Sequence, residues 1–283
     1  MKCGQCGTQN PGEARYCLAC GVPLGAGSAN PGPLRPLRPV IDRRVVAAEN
    51  PLLALMPATN VFAQPIVARN EFRLILVHPD GTDGATYVVR GSQIEIGRTE
   101  GDLLFDDPYL SPRHARISAG PEGLVLTGLE SRNGVFVRLQ ASVELEDGDL
   151  FLVGKQLLMF EILPDFEKDL RPAVQNNVIL FGSHGKPAWG RLRQMGPTGV
   201  SHDVFHFGRD QVVIGREQGD IVFSDDQFMS RRHAQLSLRG RAGQLEDLGS
   251  SNGTFIRLRQ VPHPLAPGDI IRLGNVLLRF EHV

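Results

Sequence analysis

The sequence predicts an all-β protein: two β-sandwiches in tandem, preceded by a short cysteine-rich module and a Pro/Gly-rich linker. Three observations carry this. From residue 71 onward, short β-branched or alternating runs such as "FRLILVH", "ATYVVR" and "QIEIGR" are separated by Gly, Asp and Pro. Strands spaced roughly 8–12 residues apart with turn signals between them are the mark of a sandwich. The same texture returns in "WGRLRQM", "DVFHF" and "QVVIGR", so the domain occurs twice. Finally, all four cysteines, Cys3, Cys6, Cys17 and Cys20, fall in the first twenty residues.

The chain has 283 residues, room for about two domains of ~100–150 residues. With 30 Lys+Arg against 31 Asp+Glu, the balance argues against whole-chain binding to a polyanion but leaves room for a local basic pocket. Only 6% of residues are aromatic, beside 32 Gly and 20 Pro, which suits turns and short strands better than long helices. No apolar run approaches the ~18–20 residues of a membrane span; "PLLALMPATNVF" is too short and is interrupted by Pro57. "MKCGQCG" offers no apolar signal region. The expectation is a cytoplasmic protein without membrane attachment.

Residues 1–24 form the first expected unit. Its spacing is C-x2-C-x10-C-x2-C. Two C-x-x-C knuckles together offer four thiolates in a tetrahedron, which suits Zn²⁺ and leaves no open coordination position, so the metal's role is structural. In a reducing compartment this clustering points to metal rather than disulfides. A stretch this short buries too little core to fold without it. "CGQCGTQNPGEARYCLACGVPL" resembles the short zinc ribbons at the N-termini of many bacterial multidomain proteins. Lys2 and Arg15 are its only basic residues and Tyr16 its only aromatic, too little charge and stacking surface for a nucleic-acid groove.

Residues 25–70 follow as a largely flexible linker, with "RPLRP" as extended spacer rather than as a polyproline ligand. Thr59 is its single threonine and a candidate for phosphorylation and capture by one of the chain's own sandwiches. Sandwich 1 is expected over 71–165 and sandwich 2 over 174–283. The repeat is measurable: Arg98 and Arg216 stand 118 residues apart; Ser111 and Ser230, His114 and His233, and Asn133 and Asn252 stand 119 apart; Asp149 and Asp269 stand 120 apart.

The most informative stretch is "VVIGR", followed by "SRRH" and then "SSNGT". Neither "GR" nor "NG" is specific alone, but the ordered set resembles the forkhead-associated (FHA) domain, a β-sandwich that binds phosphothreonine peptides through loops at one end. The resemblance covers about 72–163 and 189–283. With the ribbon, the architecture resembles bacterial zinc-ribbon proteins carrying tandem FHA domains.

The chemistry of the residues agrees. A phosphothreonine brings about −1.5 to −2 charges and three strong acceptors. Arg216 can supply a guanidinium fork, Ser230 and Ser251 hydroxyls, and the Arg231 backbone an amide, with Arg231 and Arg232 adding charge. Asn252, both donor and acceptor, is suited to the ligand's main chain. The resemblance assigns Gly97, Gly215, Gly134 and Gly253 to the loops and gives His114 and His233 a bracing role. A catalytic role for His233 is set aside, because no third group orients it and no nucleophile elbow is present.

The first copy keeps Arg98, Ser111 and Asn133 but departs elsewhere. Pro112 stands for Arg231, removing an amide donor, Arg132 for Ser251, and Val135 for Thr254. Arg113 and Arg132 are expected to compensate electrostatically. The function this implies is a non-enzymatic adaptor for threonine-phosphorylated proteins, such as a Ser/Thr kinase or its substrate. The alternative is a nucleic-acid-associated regulator whose ribbon binds DNA or RNA.

Overall fold

The computed structural model describes residues 1–4, 7, 9 and 71–283, apart from 122, 169–171, 183–187, 241, 260 and 261. Cys6, Cys17, Cys20, the linker and Thr59 therefore lie outside the described residues. Of the N-terminal module, Lys2 and Gln9 form an isolated antiparallel bridge, Gly7 N–H donates to the Cys3 carbonyl at 3.0 Å, and Cys3 is buried.

Repeat 1 contributes ten strands: β1 (Glu71–Val77), β2 (Asp83–Arg90), β3 (Gln93–Gly97), β4 (Leu103–Leu104), β5 (Ala115–Gly120), β6 (Gly123–Gly128), β7 (Val135–Arg138), β8 (Val143–Leu145), β9 (Leu150–Val153) and β10 (Gln156–Ile162). A one-turn helix, Asp165–Lys168, and an exposed hairpin, β11 (Val174–Gln175) and β12 (Val178–Ile179), lie between the repeats. Repeat 2 returns the same ten: β13 (Gly190–Met195), β14 (Ser201–Phe207), β15 (Gln211–Gly215), β16 (Ile221–Val222), β17 (Ala234–Arg239), β18 (Ala242–Asp247), β19 (Thr254–Arg257), β20 (His263–Pro264), β21 (Ile270–Leu273) and β22 (Val276–His282). The copying extends to irregularities. The β1–β2 register shifts between Ile75 and Val77, and the β13–β14 register between Arg193 and Met195. No helix among the described residues is long and apolar enough to cross a membrane.

The strands form two sandwiches, as the all-β expectation requires, but not one per repeat. A ten-stranded sheet runs β14-β13-β10-β9-β19-β7-β21-β22-β1-β2, and two five-stranded sheets run β16-β15-β17-β18-β8 and β20-β6-β5-β3-β4. The order is unchanged when each strand is replaced by its counterpart in the other repeat. The segment β8–β10 has thus left repeat 1 to complete the sandwich of repeat 2, and β20–β22 has made the reverse move. Strand β7 pairs with β19 at the pseudo-twofold centre, with Ile256 opposite Val137.

The packing follows the exchange. One continuous core joins Leu145, Phe151, Val153, Leu158 and Phe160 of repeat 1 to Leu192, Val212, Ile214, Leu236 and Leu245 of repeat 2. In the other sandwich Phe280 packs on Phe72 with ring centroids 5.6 Å apart. Strand alternation explains why these residues meet. β9 and β21 both bury every second side chain, so each presents one apolar face to whichever sandwich receives it. The ranges 71–165 and 174–283 mark the sequence repeats, while each sandwich draws on both of them. Repetition identifies the strands but not the copy that supplies each partner, because the two pairing surfaces are nearly equivalent.

Cleavage at a protease site inserted beside Phe181, between the repeats, tests the exchange. The two fragments are expected to co-elute under native conditions and to separate only in denaturant. Separation of folded halves in native buffer would contradict the exchanged topology.

Candidate functional site

The residues singled out in repeat 2 converge on one surface pocket of about 410 Å³, lined by Arg216, Gln227, Phe228, Met229, Ser230, Arg231, Arg232, Ser251 and Asn252. Three loops build it. The first leaves β15, the second precedes β17, and the third precedes β19. Backbone bonds join the first two: Arg216 N–H donates to Ser230 O at 3.0 Å and Gln218 N–H to Arg231 O at 3.0 Å. Gly215 ends β15 so close to the Arg231 carbonyl that a side chain there would collide with it.

His233 links the second loop to the third. Fully buried, its Nδ1 accepts the Ser230 N–H at 3.0 Å, so its Nε2 carries the proton and donates to the Gly253 carbonyl at 3.2 Å. The same imidazole bonds recur at His114, with Ser111 N–H at 3.0 Å and Gly134 O at 3.0 Å. Bracing is therefore what both histidines do. Gly253 has φ +80° and Gly134 φ +79°, the left-handed backbone that glycine adopts without strain.

The loops leave donors facing the pocket. Ser230 Oγ accepts the Ser251 N–H at 3.1 Å, which leaves the Ser230 hydroxyl proton available to a ligand. Among the described residues, the Arg231 N–H, the Ser251 hydroxyl and the guanidinium groups of Arg231 and Arg232 have no partner. Asn252 spends one amide proton on Phe228 O at 2.7 Å, bracing its loop, and keeps its carbonyl oxygen. Arg216 makes a half-exposed ion pair with Glu217 at 2.8 Å. Such a surface pair contributes ~0–1 kcal/mol, so a dianionic ligand can displace it.

Two carboxylate supports, Asp247 and Asp226, were not legible as motifs. Asp247 accepts from Ser250 N–H (2.8 Å), the Ser250 hydroxyl (2.6 Å) and the Thr254 hydroxyl (2.6 Å), and Ser250 Oγ in turn accepts Gly253 N–H at 2.9 Å. Burial works to raise the Asp247 carboxyl, but the Ser250 and Thr254 bonds outweigh it and hold the acid below its ordinary range. Asp226, buried, accepts Phe228 N–H at 2.9 Å through one oxygen. Its other oxygen accepts Lys155 N–H at 2.7 Å and Gln156 Nε2 at 2.9 Å, both from repeat 1.

Site 1 keeps the scaffold with fewer donors. Arg98 N–H donates to Ser111 O at 3.0 Å, Ser111 Oγ accepts Arg132 N–H at 3.2 Å, and Asn133 donates to Tyr109 O at 2.8 Å. Arg113 does not compensate for the missing Arg231. Its guanidinium is bound by Glu95 at 2.9 and 2.8 Å, and Arg116 joins the same carboxylate, so its charge is neutralised away from the loops. Arg232 escapes this fate because Val213 replaces Glu95 in repeat 2. Arg132 is exposed and its side chain is unpaired among the described residues. Asp247 has Gly128 as its counterpart, and Thr254 has Val135, so site 1 lacks the carboxylate network beneath the turn.

The brace is pH-sensitive. Burial depresses the pKa of both His114 and His233 below 6.5, against the raising effect of their carbonyl partners. Burial depresses His263 in the same way. The unfolded chain binds protons first as pH falls, so this stability is fully present above the unfolded pKa and is lost below it. Thermal unfolding followed by circular dichroism is expected to give a steady midpoint above pH 7 and a falling one between pH 6.5 and 5. A His114→Gln/His233→Gln chain, less stable throughout, is expected to show a shallower fall, and an equal fall would refute the assignment.

Sequence comparison with known proteins points to one family. The FHA domain family matches residues 94–154 and 206–274. The chain is 32% identical over 117 residues to the glycogen accumulation regulator GarA of Mycolicibacterium smegmatis, covering 40% of this chain and 73% of that protein. It is 30% identical over 119 residues to the oxoglutarate dehydrogenase inhibitor of Corynebacterium jeikeium, covering 41% and 81%. It is 47% identical over 72 residues to the FHA domain-containing protein FhaB of Mycobacterium tuberculosis, covering 25% of this chain but only 46% of FhaB. A solved structure described as a structural and functional analysis of phosphothreonine-dependent FHA domain interactions aligns with 29% identity and a TM-score of 0.21, covering 33% of this chain and 95% of that one. The repeated arginine, serine, histidine and Asn-Gly turn, set on these sandwich loops and matched at this identity, place the chain in the FHA domain family.

Proposed function

We propose that this chain is a non-enzymatic adaptor that binds threonine-phosphorylated proteins in Ser/Thr kinase signalling, with site 2 as the principal reader. The observation that carries it is the pocket itself. A guanidinium, two hydroxyls and an unpaired backbone amide meet there on loops locked by a buried imidazole. Each charge-assisted bond from such donors to a phosphate contributes ~1.5–3 kcal/mol. Phe228 and Met229 give the pocket an apolar wall for the γ-methyl of threonine.

The relatives support the absence of catalysis. GarA is named as a regulator and the corynebacterial protein as an inhibitor, each for its effect on something else. The histidines, the natural bases of the site, are committed to backbone bonds. The expected zinc ribbon, with Zn²⁺ held by Cys3, Cys6, Cys17 and Cys20, remains part of this proposal as a structural module. The alternative of a nucleic-acid-associated regulator gains no support from the relatives or the described residues. The chain's partners are read as kinases or their substrates, and site 1 as a weaker reader of the same chemistry.

Calorimetry of the full chain with a phosphothreonine peptide tests this. Arg216→Ala and Ser230→Ala are each expected to weaken site 2 by at least tenfold, from loss of ~1.5–3 kcal/mol, with thermal stability unchanged in Arg216→Ala and slightly lowered in Ser230→Ala, which also loses the Ser251 N–H bond. Arg98→Ala is expected to affect only the weaker site. Affinity unchanged by Arg216→Ala, or equal affinity for the unphosphorylated peptide, would refute the proposal.

A further inference from the structure

The exchange brings a cation of repeat 1 to the pocket of repeat 2. The turn between β9 and β10 is pressed against Asp226. Gly154 there has φ +60°, and a Cβ on it would lie 2.8 Å from Asp226 Oδ2. The next residue, Lys155, gives its N–H to the same oxygen and carries its Nζ 4.4 Å above the centre of the Phe228 ring. Phe228 lines the pocket. Lys155 is exposed, and no carboxylate among the described residues pairs with it. An ammonium held over a ring face is positioned without losing its charge.

Arg138 stands at the end of β7, outside the pocket lining. It packs against Gly253, immediately after the pocket residue Asn252, closely enough that a side chain on Gly253 would collide with its guanidinium. Arg138 is half-buried and makes no hydrogen bond or ion pair among the described residues. Its guanidinium is partly open to solvent, so an anion at the surface can reach it.

The pseudo-symmetry provides an internal control. Arg257 stands at Gly134 as Arg138 stands at Gly253. Asn275, the counterpart of Lys155, gives its N–H to Asp107 at 2.6 Å, and Tyr109 replaces Phe228. The scaffold of the turn is common to both sites, while the lysine charge occurs only at site 2.

We propose, resting on the phosphopeptide reading above, that Lys155 and Arg138 form a second, anion-selective subsite at pocket 2, contributed by repeat 1. The ligand it fits is an acidic phosphopeptide, with Asp or Glu beside the phosphothreonine. The two cations determine specificity; Arg216 and Ser230 remain the phosphate contacts.

The test uses the full chain carrying Arg98→Ala, so that site 1 is silent, and two fluorescent phosphothreonine peptides. One has neutral flanks, and the other has Glu on both sides of the phosphothreonine. Anisotropy titration is expected to show tighter binding of the acidic peptide, with the advantage shrinking as salt rises. Lys155→Gln is expected to reduce that advantage about threefold to fivefold while leaving the neutral peptide's affinity unchanged. Arg138→Gln, checked by thermal unfolding, is expected to reduce it further. Equal loss for both peptides would make Lys155 a structural support and overturn the subsite, as would no loss for either. If the parent chain bound neither phosphopeptide, the phosphopeptide reading itself would fall and the subsite with it.

Discussion

At the centre of the ten-stranded sheet, β7 and β19 run antiparallel through three residue pairs: Phe255 with Arg138, Ile256 with Val137, and Arg257 with Phe136. A strand at a sheet edge presents unpaired backbone groups. In two separate sandwiches β7 and β19 would each be such an edge. Here they cover one another, and the chain leaving each strand crosses into the other repeat's half. Because β8–β10 and β20–β22 present equivalent faces, the exchange keeps every kind of contact that a self-contained sandwich would make and adds the central pairing.

That constraint makes the surroundings of the pocket composite. Arg138 lies against Gly253 because its strand pairs with the one that follows the Asn-Gly turn. Asp226 secures the Phe228 segment and the β9–β10 turn with the two oxygens of one carboxylate. The pocket's donors come from repeat 2, while Lys155 and Arg138, against Phe228 and Gly253, come from repeat 1. Perturbing the interface between repeats therefore reaches the pocket through the Asp226 bonds and through the central strand pair. Within repeat 2 the loops are held by an imidazole that bonds two backbone groups in its neutral form and by a carboxylate that gathers Ser250 and Thr254.

Much of this was legible in the chain. Fixed spacing between Arg98 and Arg216, Ser111 and Ser230, and Asn133 and Asn252 revealed the repeat, and the order of residue types within it placed them on neighbouring loops. The loss of donors at Pro112 and Val135 was also visible. Other features depend on through-space partners. Arg113 looked like a spare cation, but from the loop before β5 it reaches Glu95, the carboxylate that β3–β5 register sets opposite Arg116, a partner no motif reveals. Lys155 stood in an unremarkable turn, and only the exchange carries it to Phe228. Comparing the repeats could have flagged Asp107 and Asp226, 119 residues apart like the serines, as a shared anchor.

The central claim is that one phosphate-dependent pocket is built jointly by both repeats. Amide chemical-shift mapping of the full chain, titrated with a phosphothreonine peptide and with its unphosphorylated form, tests it most directly. The account predicts phosphate-dependent shifts at Arg216, Arg231, Ser251 and Asn252 of repeat 2 together with Gly154 and Lys155 of repeat 1. Shifts confined to other surfaces, or identical shifts with the unphosphorylated peptide, would contradict it.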